Sequence, residues 1–600
     1  MNPLIILALT FGGFALAYVT YGRYLARRIF HLRGDAQVPS RALEDGVDYV
    51  PTRRGIIFGH HFTSIAGTGP IVGPAIGVLF GWIPALIWIF LGSIFLGAVH
   101  DLGAMVVSLR HEGRSIADIV SGYISRRVRV ICFLIVFLEL WIVIAVFGLV
   151  IANLFHLFPQ SVAAIWLQIP IAIWLGLMVY RLRGSVALST FLAVLFMYVT
   201  ILFGAQLPLD MPDILGVPAT GIWTLILLVY CYAASTLPVQ LLLQPRDYIN
   251  AWQLFIMLLL LALGAVASSL TGGLRLAAPA YSPGLGVGVL GSMFPFLFVT
   301  IACGAISGFH SLVCSGTSAK QISDERDALF VGYGAMLLEG ALATLILIAV
   351  AAGIGMGYQT AAGAPLLFGN AAWKSHYADP ASASSLGGTV RAVVTGSANM
   401  MRAIGVPTSV GLAIMGVFIA SFAGTTLDTA TRIQRYVITE LAQEVRLRAL
   451  ANRWIATAVA VVSAGVLAFS TGWSGKGAMI LWPMFGAVNQ LLAALALLLV
   501  TLYLRRRGGL KYLVTLLPCL FMLVMTISAM AINEKRFVGE ALASMQKAGA
   551  QFPFGRWLLA SINGAALLLS LWMVVEGFIV LWRPTTPAGE GDRDGSDHRR

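Results

Sequence analysis

Ser64, Gly67, Thr68 and Gly69 interrupt an apolar stretch, FGHHFTSIAGTGPIVGPAIGVL at 58–79, that is otherwise long enough to cross a bilayer. Glycine adds no side chain and Pro70 has no amide hydrogen, so a helix opens here and leaves amide and carbonyl groups bare at mid-depth. Inside a membrane such main chain persists only where it lines a cavity or binds something. Amides at the start of a half-helix attract negative charge. The chemistry expected at Ser64, Gly67, Thr68 and Gly69 is therefore the holding of a substrate carboxylate. The plainer alternative is a small-residue helix packed tightly on its neighbours.

A second interruption is expected in TLILLVYCYAASTLPVQLLLQPRDYIN at 224–250, where Pro238 follows two small hydroxyl residues. Ser235, Thr236 and Gln240 would then complete the substrate pocket from a helix of opposite polarity. A rival for the second break is CGAISGFHSLVCSGTSAKQ at 303–321, which carries Ser307, His310 and Ser311.

Proton chemistry is the second requirement. His61 and His310 titrate near neutral pH, and Glu139 lies mid-span, where a carboxylate must be protonated, paired or facing water. Glu339 shares that position, and His100 is followed by Asp101. Packing between helices is the bland reading for that last pair. His60 and His61 are adjacent and point about 100° apart on a helix, so a shared metal ion is not expected. Ser307 and Ser311 keep sodium open as the coupling ion beside the preferred proton. Glu576 reads as an interhelix or oligomer contact, Asn489 and Gln490 as interhelical hydrogen bonders, and Asp428 with Arg432 and Arg435 as a local salt bridge or gate. No cofactor is implied. The helices carry neither Gly-x-Ser-x-Gly nor His-Glu-x-x-His, which ranks a membrane-embedded hydrolase last.

These residues need a membrane scaffold, and the composition supplies one. Of 600 residues 58% are hydrophobic and 11% charged, with a mean hydropathy of +0.87, far from a soluble protein. The net charge of +13 is spread over many short loops, as the positive-inside rule requires, which disposes of a nucleic-acid surface. The five cysteines sit singly in apolar runs and predict neither disulfides nor metal.

Apolar runs predict an all-α integral membrane protein of about 15 transmembrane helices. The first would be a retained span at 3–21, with a basic cytoplasmic loop completing 1–57. A five-plus-five inverted-repeat core would fill 58–424, as repeats 58–205 and 220–424, with a surface helix near 386–402. Additional helices would occupy 453–582, before a disordered cytoplasmic tail at 583–600. The loop charges put the N-terminus outside and the C-terminus in the cytoplasm.

The core pattern resembles the amino-acid/polyamine/organocation transporters. More specifically, RRGIIFGHHFTSIAGTGPIVGPAIG at 53–77, LPVQLLLQPRDYIN at 237–250, PFLFVTIACGAISGFHSLVCSGTSAK at 295–320, TTLDTATRIQRY at 425–436 and WPMFGAVNQLLA at 482–493 resemble the CstA carbon-starvation proteins. That resemblance covers nearly the whole chain. It implies an inner-membrane transporter active in carbon starvation, with pyruvate taken up by proton symport or short peptides as substrate. The expectation is a proton-coupled importer of a small carboxylated nutrient, pyruvate ahead of di- and tripeptides. A membrane sensor that binds without transporting is the alternative of another class. The substrate and the lipid bilayer are the expected partners; the oligomeric state is open.

Overall fold

The computed structural model describes residues 2–204, 206–360, 363–444, 446–546 and 553–583. The tail expected to be disordered falls, from 584 on, outside the described residues. Regular structure among the described residues is helical, with three isolated bridges besides.

The chain opens with α1 (Pro3–Ile29), longer than the predicted 3–21. α2 (Arg54–Ala66) and α3 (Gly69–Phe80) follow, bent by 41° at the residues between them. Next come α4 (Trp82–Leu109), the short amphipathic α5 (Ile116–Tyr123), α6 (Arg126–Leu157), α7 (Pro159–Arg181) and α8 (Val186–Gly204). α9 (Ala219–Thr236) and α10 (Leu243–Leu270) lead to two short helices, α11 (Met293–Thr300) and α12 (Gly308–Gly316). The remainder is α13 (Leu329–Ala351), α14 (Leu386–Arg402), α15 (Thr408–Glu444), α16 (Arg453–Phe469), α17 (Trp482–Arg506), α18 (Leu513–Met545) and α19 (Phe554–Trp582).

Twelve of these helices are long and apolar enough to cross a membrane, thirteen if α2 and α3 are taken as one span. Two other expected spans take different forms. Residues 290–314 become α11 and α12 around a non-helical stretch, and 453–471 becomes the 17-residue α16. The protein is thus an all-helical, multi-pass membrane protein. The apolar middle of α17 is wholly buried, with those of α13 and α15 nearly so, while α1, α8 and α19 lie at the rim. The long α15 packs along α6, and α10 along α2.

The predicted mid-span break at Pro238 is not there. α9 ends at Thr236, Leu237 is extended as residues before proline are driven to be, and helix resumes only at Leu243. The turn is tied to other connecting chain: Val239 N–H donates to Val47 O at 3.2 Å, and Arg432 Nη2 to Leu237 O at 3.1 Å. Pro238 ends one span before the next begins. The interruption that faces the first break is the rival one, at 301–307.

Candidate functional site

The first break centres on Gly67, whose φ of 44° and ψ of −144° suit glycine alone. A Cβ there would lie 2.7 Å from Thr426 Oγ1 of α15. The carbonyls freed at the end of α2 do not stay bare. Thr425 Oγ1 donates to Thr63 O at 3.0 Å and Thr426 Oγ1 to Ser64 O at 3.3 Å. The amides are another matter. Among the described residues those of Gly67, Thr68 and Gly69 find no protein acceptor, and they stand at the N-terminus of α3. Gly69 is partly accessible although its neighbours are buried, as is Gly424 of α15, beside which there is open space.

The second break lies against the first. A Cβ on Gly69 would collide with Cys303, and one on Gly73 would come within 3.0 Å of Thr300 O. Its main chain is also partly satisfied from outside. Trp88 Nε1 donates to Ile301 O at 2.9 Å and Ser93 Oγ to Gly304 O at 2.9 Å. Asn489 of α17 caps α12 across helices, accepting from Phe309 N–H at 2.9 Å while pairing with Ser307 Oγ at 3.2 Å. Gln490 Nε2 donates to Phe298 O at 3.2 Å, so both residues are the interhelical hydrogen bonders expected. Cys303, like Gly69, is partly accessible.

Two buried polar webs flank the breaks. In the first, His60 Nδ1 lies 2.7 Å from Asp247 Oδ2, and Ser64 Oγ donates to the same oxygen at 3.3 Å. Arg246 bridges Asp247, at 3.0 Å, and Asp428, which also accepts from Tyr230 OH at 3.0 Å. Gln244 Nε2 donates to Gln321 Oε1 at 2.6 Å, which turns the Gln321 amide nitrogen toward His60 Nε2 at 3.3 Å. His60 Nε2 therefore accepts and its Nδ1 donates to Asp247. Asp428 is consequently not a partner of Arg432 and Arg435. Those two guanidinium groups pair instead with Asp48, at 2.7 and 3.3 Å. Burial pushes the Asp48 carboxyl up, but Arg432, Arg435 and Lys320 outweigh it and hold the group well below the usual carboxylate range.

The second web is built on Asp101, fully buried in α4. His100 Nδ1 lies 2.7 Å from one carboxylate oxygen and His310 Nδ1 2.9 Å from the other. On its far side His310 Nε2 is 3.3 Å from Glu339 Oε2, close but off-axis, so neither atom is hydrogen-bonded. Glu139 is also fully buried, with no hydrogen-bond partner for either oxygen, and lies within electrostatic reach of Cys303. Cys303 Sγ, His310 Nε2 and a Glu339 oxygen lie within 4.8 Å of one another, donor types that suit a transition-metal ion as well as a shared proton.

Of the residues singled out from sequence, Ser64, Gly67, Thr68 and Gly69 meet at the first break. Ser307 and His310 flank the second, and Ser311 Oγ turns back to Gly308 O in its own helix. His61 Nδ1 lies 2.8 Å from Ser318 Oγ. Ser235 reaches the first web by donating to Asp428 O at 3.1 Å, whereas Thr236 bonds only to carbonyls of its own helix. Gln240 sits in the turn against Gly176 of α7. The last three thus occupy a span end instead of the break proposed for them. Glu576 accepts from Ser125 Oγ at 2.7 Å, the interhelix contact expected.

The carbon starvation protein CstA profile matches residues 2–529. The chain belongs to the CstA family. Relatives within that family include the peptide transporter CstA of Campylobacter jejuni, 31% identical over 550 residues, covering 86% of this chain and 78% of the relative. The peptide transporter CstA of Escherichia coli K12 is 32% identical, covering 86% and 79%. The pyruvate/proton symporter BtsT of the same strain is 32% identical over 579 residues, covering 87% and 80%. Among solved structures, a manganese transporter of Eremococcus coleocola aligns at 11% identity and TM-score 0.45, covering 90% of this chain and 99% of that one. MhsT in complex with L-phenylalanine aligns at 13% and 0.45, covering 88% and 99%. Both are distant likenesses.

For this CstA-family chain, sequence reasoning missed Arg246 and Asp247 as the centre of a buried web. The signal was present: consecutive Arg and Asp inside LPVQLLLQPRDYIN, a charged pair that α10 carries into the interior. It also missed Asp48 as the partner of Arg432 and Arg435, because the three are joined only by the folded chain.

Proposed function

We propose that this CstA-family protein is a proton-coupled secondary transporter that imports a small carboxylated metabolite across the inner membrane, pyruvate ahead of short peptides. The observation that carries this reading is the set of bare amides at Gly67, Thr68 and Gly69, at the N-terminus of a half-helix and opposite a second interrupted helix at Cys303. Positive helix ends facing an anion at mid-depth are the device of transporters with discontinuous helices. The printed names of the relatives favour the same class, with pyruvate in one and peptides in others.

A five-plus-five arrangement fits the elements best when the second repeat begins at the second break. The first repeat then runs from α2 to α8 and the second from α11 to α17, with α9 and α10 between them. Three features support this division in place of 220–424. Each repeat opens on an interrupted helix. Its third spanning helix, α6 or α15, is the longest, and these two pack together. A short amphipathic helix, α5 or α14, precedes that long one. The basic loops put the N-terminus outside and the tail in the cytoplasm, so the Asp48–Arg432–Arg435 cluster closes the cytoplasmic side.

The proton belongs on the pair His310 and Glu339. Asp101, accepting from His310 Nδ1, leaves His310 Nε2 as a bare lone pair facing a carboxylate 3.3 Å away. That approach is repulsive unless one proton sits on either atom. Its arrival would remove a buried negative charge beside the substrate opening at Cys303. Glu139 and His61 are the neighbouring groups able to relay it. Sodium, held by Ser307, Ser311 and backbone carbonyls, is the alternative coupling ion.

Purified protein in liposomes tests this directly. Labelled pyruvate should accumulate under an inward proton gradient, and Gly67→Leu should abolish it. Glu339→Gln, which mimics the protonated acid, should keep pyruvate exchange but lose accumulation driven by the gradient. Tight pyruvate binding with no flux would make the protein a sensor. Flux of di- and tripeptides with none of pyruvate would reassign the substrate, and a requirement for sodium would reassign the ion.

A further inference from the structure

Away from both breaks, a crevice of about 930 Å³ opens on the rim of the bundle between α8, α10 and the start of α2. Its floor is apolar, formed by Phe191, Val194, Trp252 and Ile256, and its mouth carries Arg53 and Arg183. No acidic residue lines it, and among the described residues neither arginine has a carboxylate partner. Phe191 is 64% exposed and Trp252 41%, so the crevice opens sideways, toward the space acyl chains fill. Arg183 holds a φ of 51°, a left-handed backbone unusual for a side chain of this size. The turn keeps it there through Gly184 N–H donating to Met178 O at 2.9 Å.

We propose that this crevice binds an anionic phospholipid, its phosphate gripped by Arg53 and Arg183 and one acyl chain laid along the floor. Guanidinium groups match phosphate oxygens in paired hydrogen bonds, and basic mouths between spanning helices are where anionic headgroups settle. A soluble anion would use the arginines but leave the floor empty. A neutral lipid would use the floor but leave two unpaired cations.

The occupant would also bear on the transport helix. Arg53 is the residue immediately before α2. Tyr248, which lines the crevice, packs on Gly59 of α2, where a Cβ would lie 3.0 Å from its ring. A bound lipid therefore steadies the entry to the bent helix without touching either break. The inference does not depend on the substrate or on the proton.

Native mass spectrometry of the full chain in detergent tests it, with phosphatidylglycerol and phosphatidylcholine of identical acyl chains as probes. Phosphatidylglycerol should be retained at least tenfold better. Arg53→Gln with Arg183→Gln should erase that preference, as two lost phosphate contacts imply. Arg53→Lys with Arg183→Lys should keep part of it, which separates loss of charge from loss of fold. Trp252→Ala should weaken both lipids, and Arg275→Gln, at a distant loop, neither. Equal retention of the two lipids by the wild type would overturn the proposal, as would undiminished phosphatidylglycerol binding by the double Gln variant. Displacement of the lipid by glycerol phosphate at equal concentration would mark a soluble-anion site and overturn it too.

Discussion

Gly67→Ala isolates the break from everything around it. The native φ of 44° and ψ of −144° lie where a residue with a Cβ pays about 1–3 kcal/mol. The new methyl would also lie 2.7 Å from Thr426 Oγ1, which must turn away and release its bond to Ser64 O, about 1 kcal/mol more. The total is roughly 2–4 kcal/mol against the bent conformation, or about 30- to 1,000-fold in its population. A double-mutant cycle separates the two parts. Thr426→Ala removes the atom that clashes and already gives up that bond, so in a Thr426→Ala background Gly67→Ala should cost about 1 kcal/mol less than in the wild type, and no less than that. Thermal unfolding in detergent and initial pyruvate uptake in liposomes both report the loss. The reasoning fails if Gly67→Ala melts within about 0.5 kcal/mol of wild type with full uptake, or if Thr426→Ala restores it entirely.

Asp48→Asn leaves the guanidinium groups of Arg432 and Arg435, 1% and 3% exposed, without a carboxylate. Asp48 itself keeps 18% exposure, which puts the cost near the low end for broken buried pairs, about 3 kcal/mol. Amide exchange over residues 45–53 should accelerate, and unchanged exchange would refute the clasp. His376, buried beneath Tyr358 and with Arg391 nearby, has its pKa lowered to about 4 by burial first and that charge second. An opened form would take up a proton near 6.5, so the packed short helix Gly369–His376 should lose stability as pH falls from 6.5 toward 4, and no further below. His376→Gln should flatten that profile in exchange measurements over 369–402; an identical profile would place the sensitivity elsewhere. Asn489→Ala removes the borrowed cap of α12 and should cost about 1–2 kcal/mol in thermal unfolding, whereas a loss below about 0.5 would show the helix start is held otherwise.

The first break was legible because glycine, glycine and proline at mid-span admit few readings; the positive φ that makes Gly67 its pivot is visible only in the folded chain. The helix expected near 386–402 starts and ends on those residues, but it is no surface helix: one face, with Val390, Ala392, Val393 and Met400, is packed into the bundle. Pro238 misled because a proline marks an interruption without saying whether the chain turns back or continues. Six residues of turn, pinned by Val47 and Arg432, decided for turning back. The webs were half legible. Each histidine and carboxylate could be flagged as costly in lipid, but the partner of each lies on another helix, and one sequence carries no distances. Asp428 was assigned to neighbours four and seven residues along its own helix when its partner was Arg246.

The adjacency of His60 and His61, which argued against a metal ion, has a mechanical consequence. Their rings leave α2 about 100° apart, and each is engaged on a different side. His60 holds Asp247 of α10, while His61 holds Ser318. Ser318 and Gln321, which follow α12 directly, touch both rings. A turn of α2 that improves one contact therefore strains the other. Gly67 is six residues beyond His61 on the same short helix, about 9 Å along its axis, with no joint between them until the break itself. A displacement at Gly67–Gly69 thus bears on a rigid segment held by His60 and Ser64 on Asp247 and by His61 on Ser318.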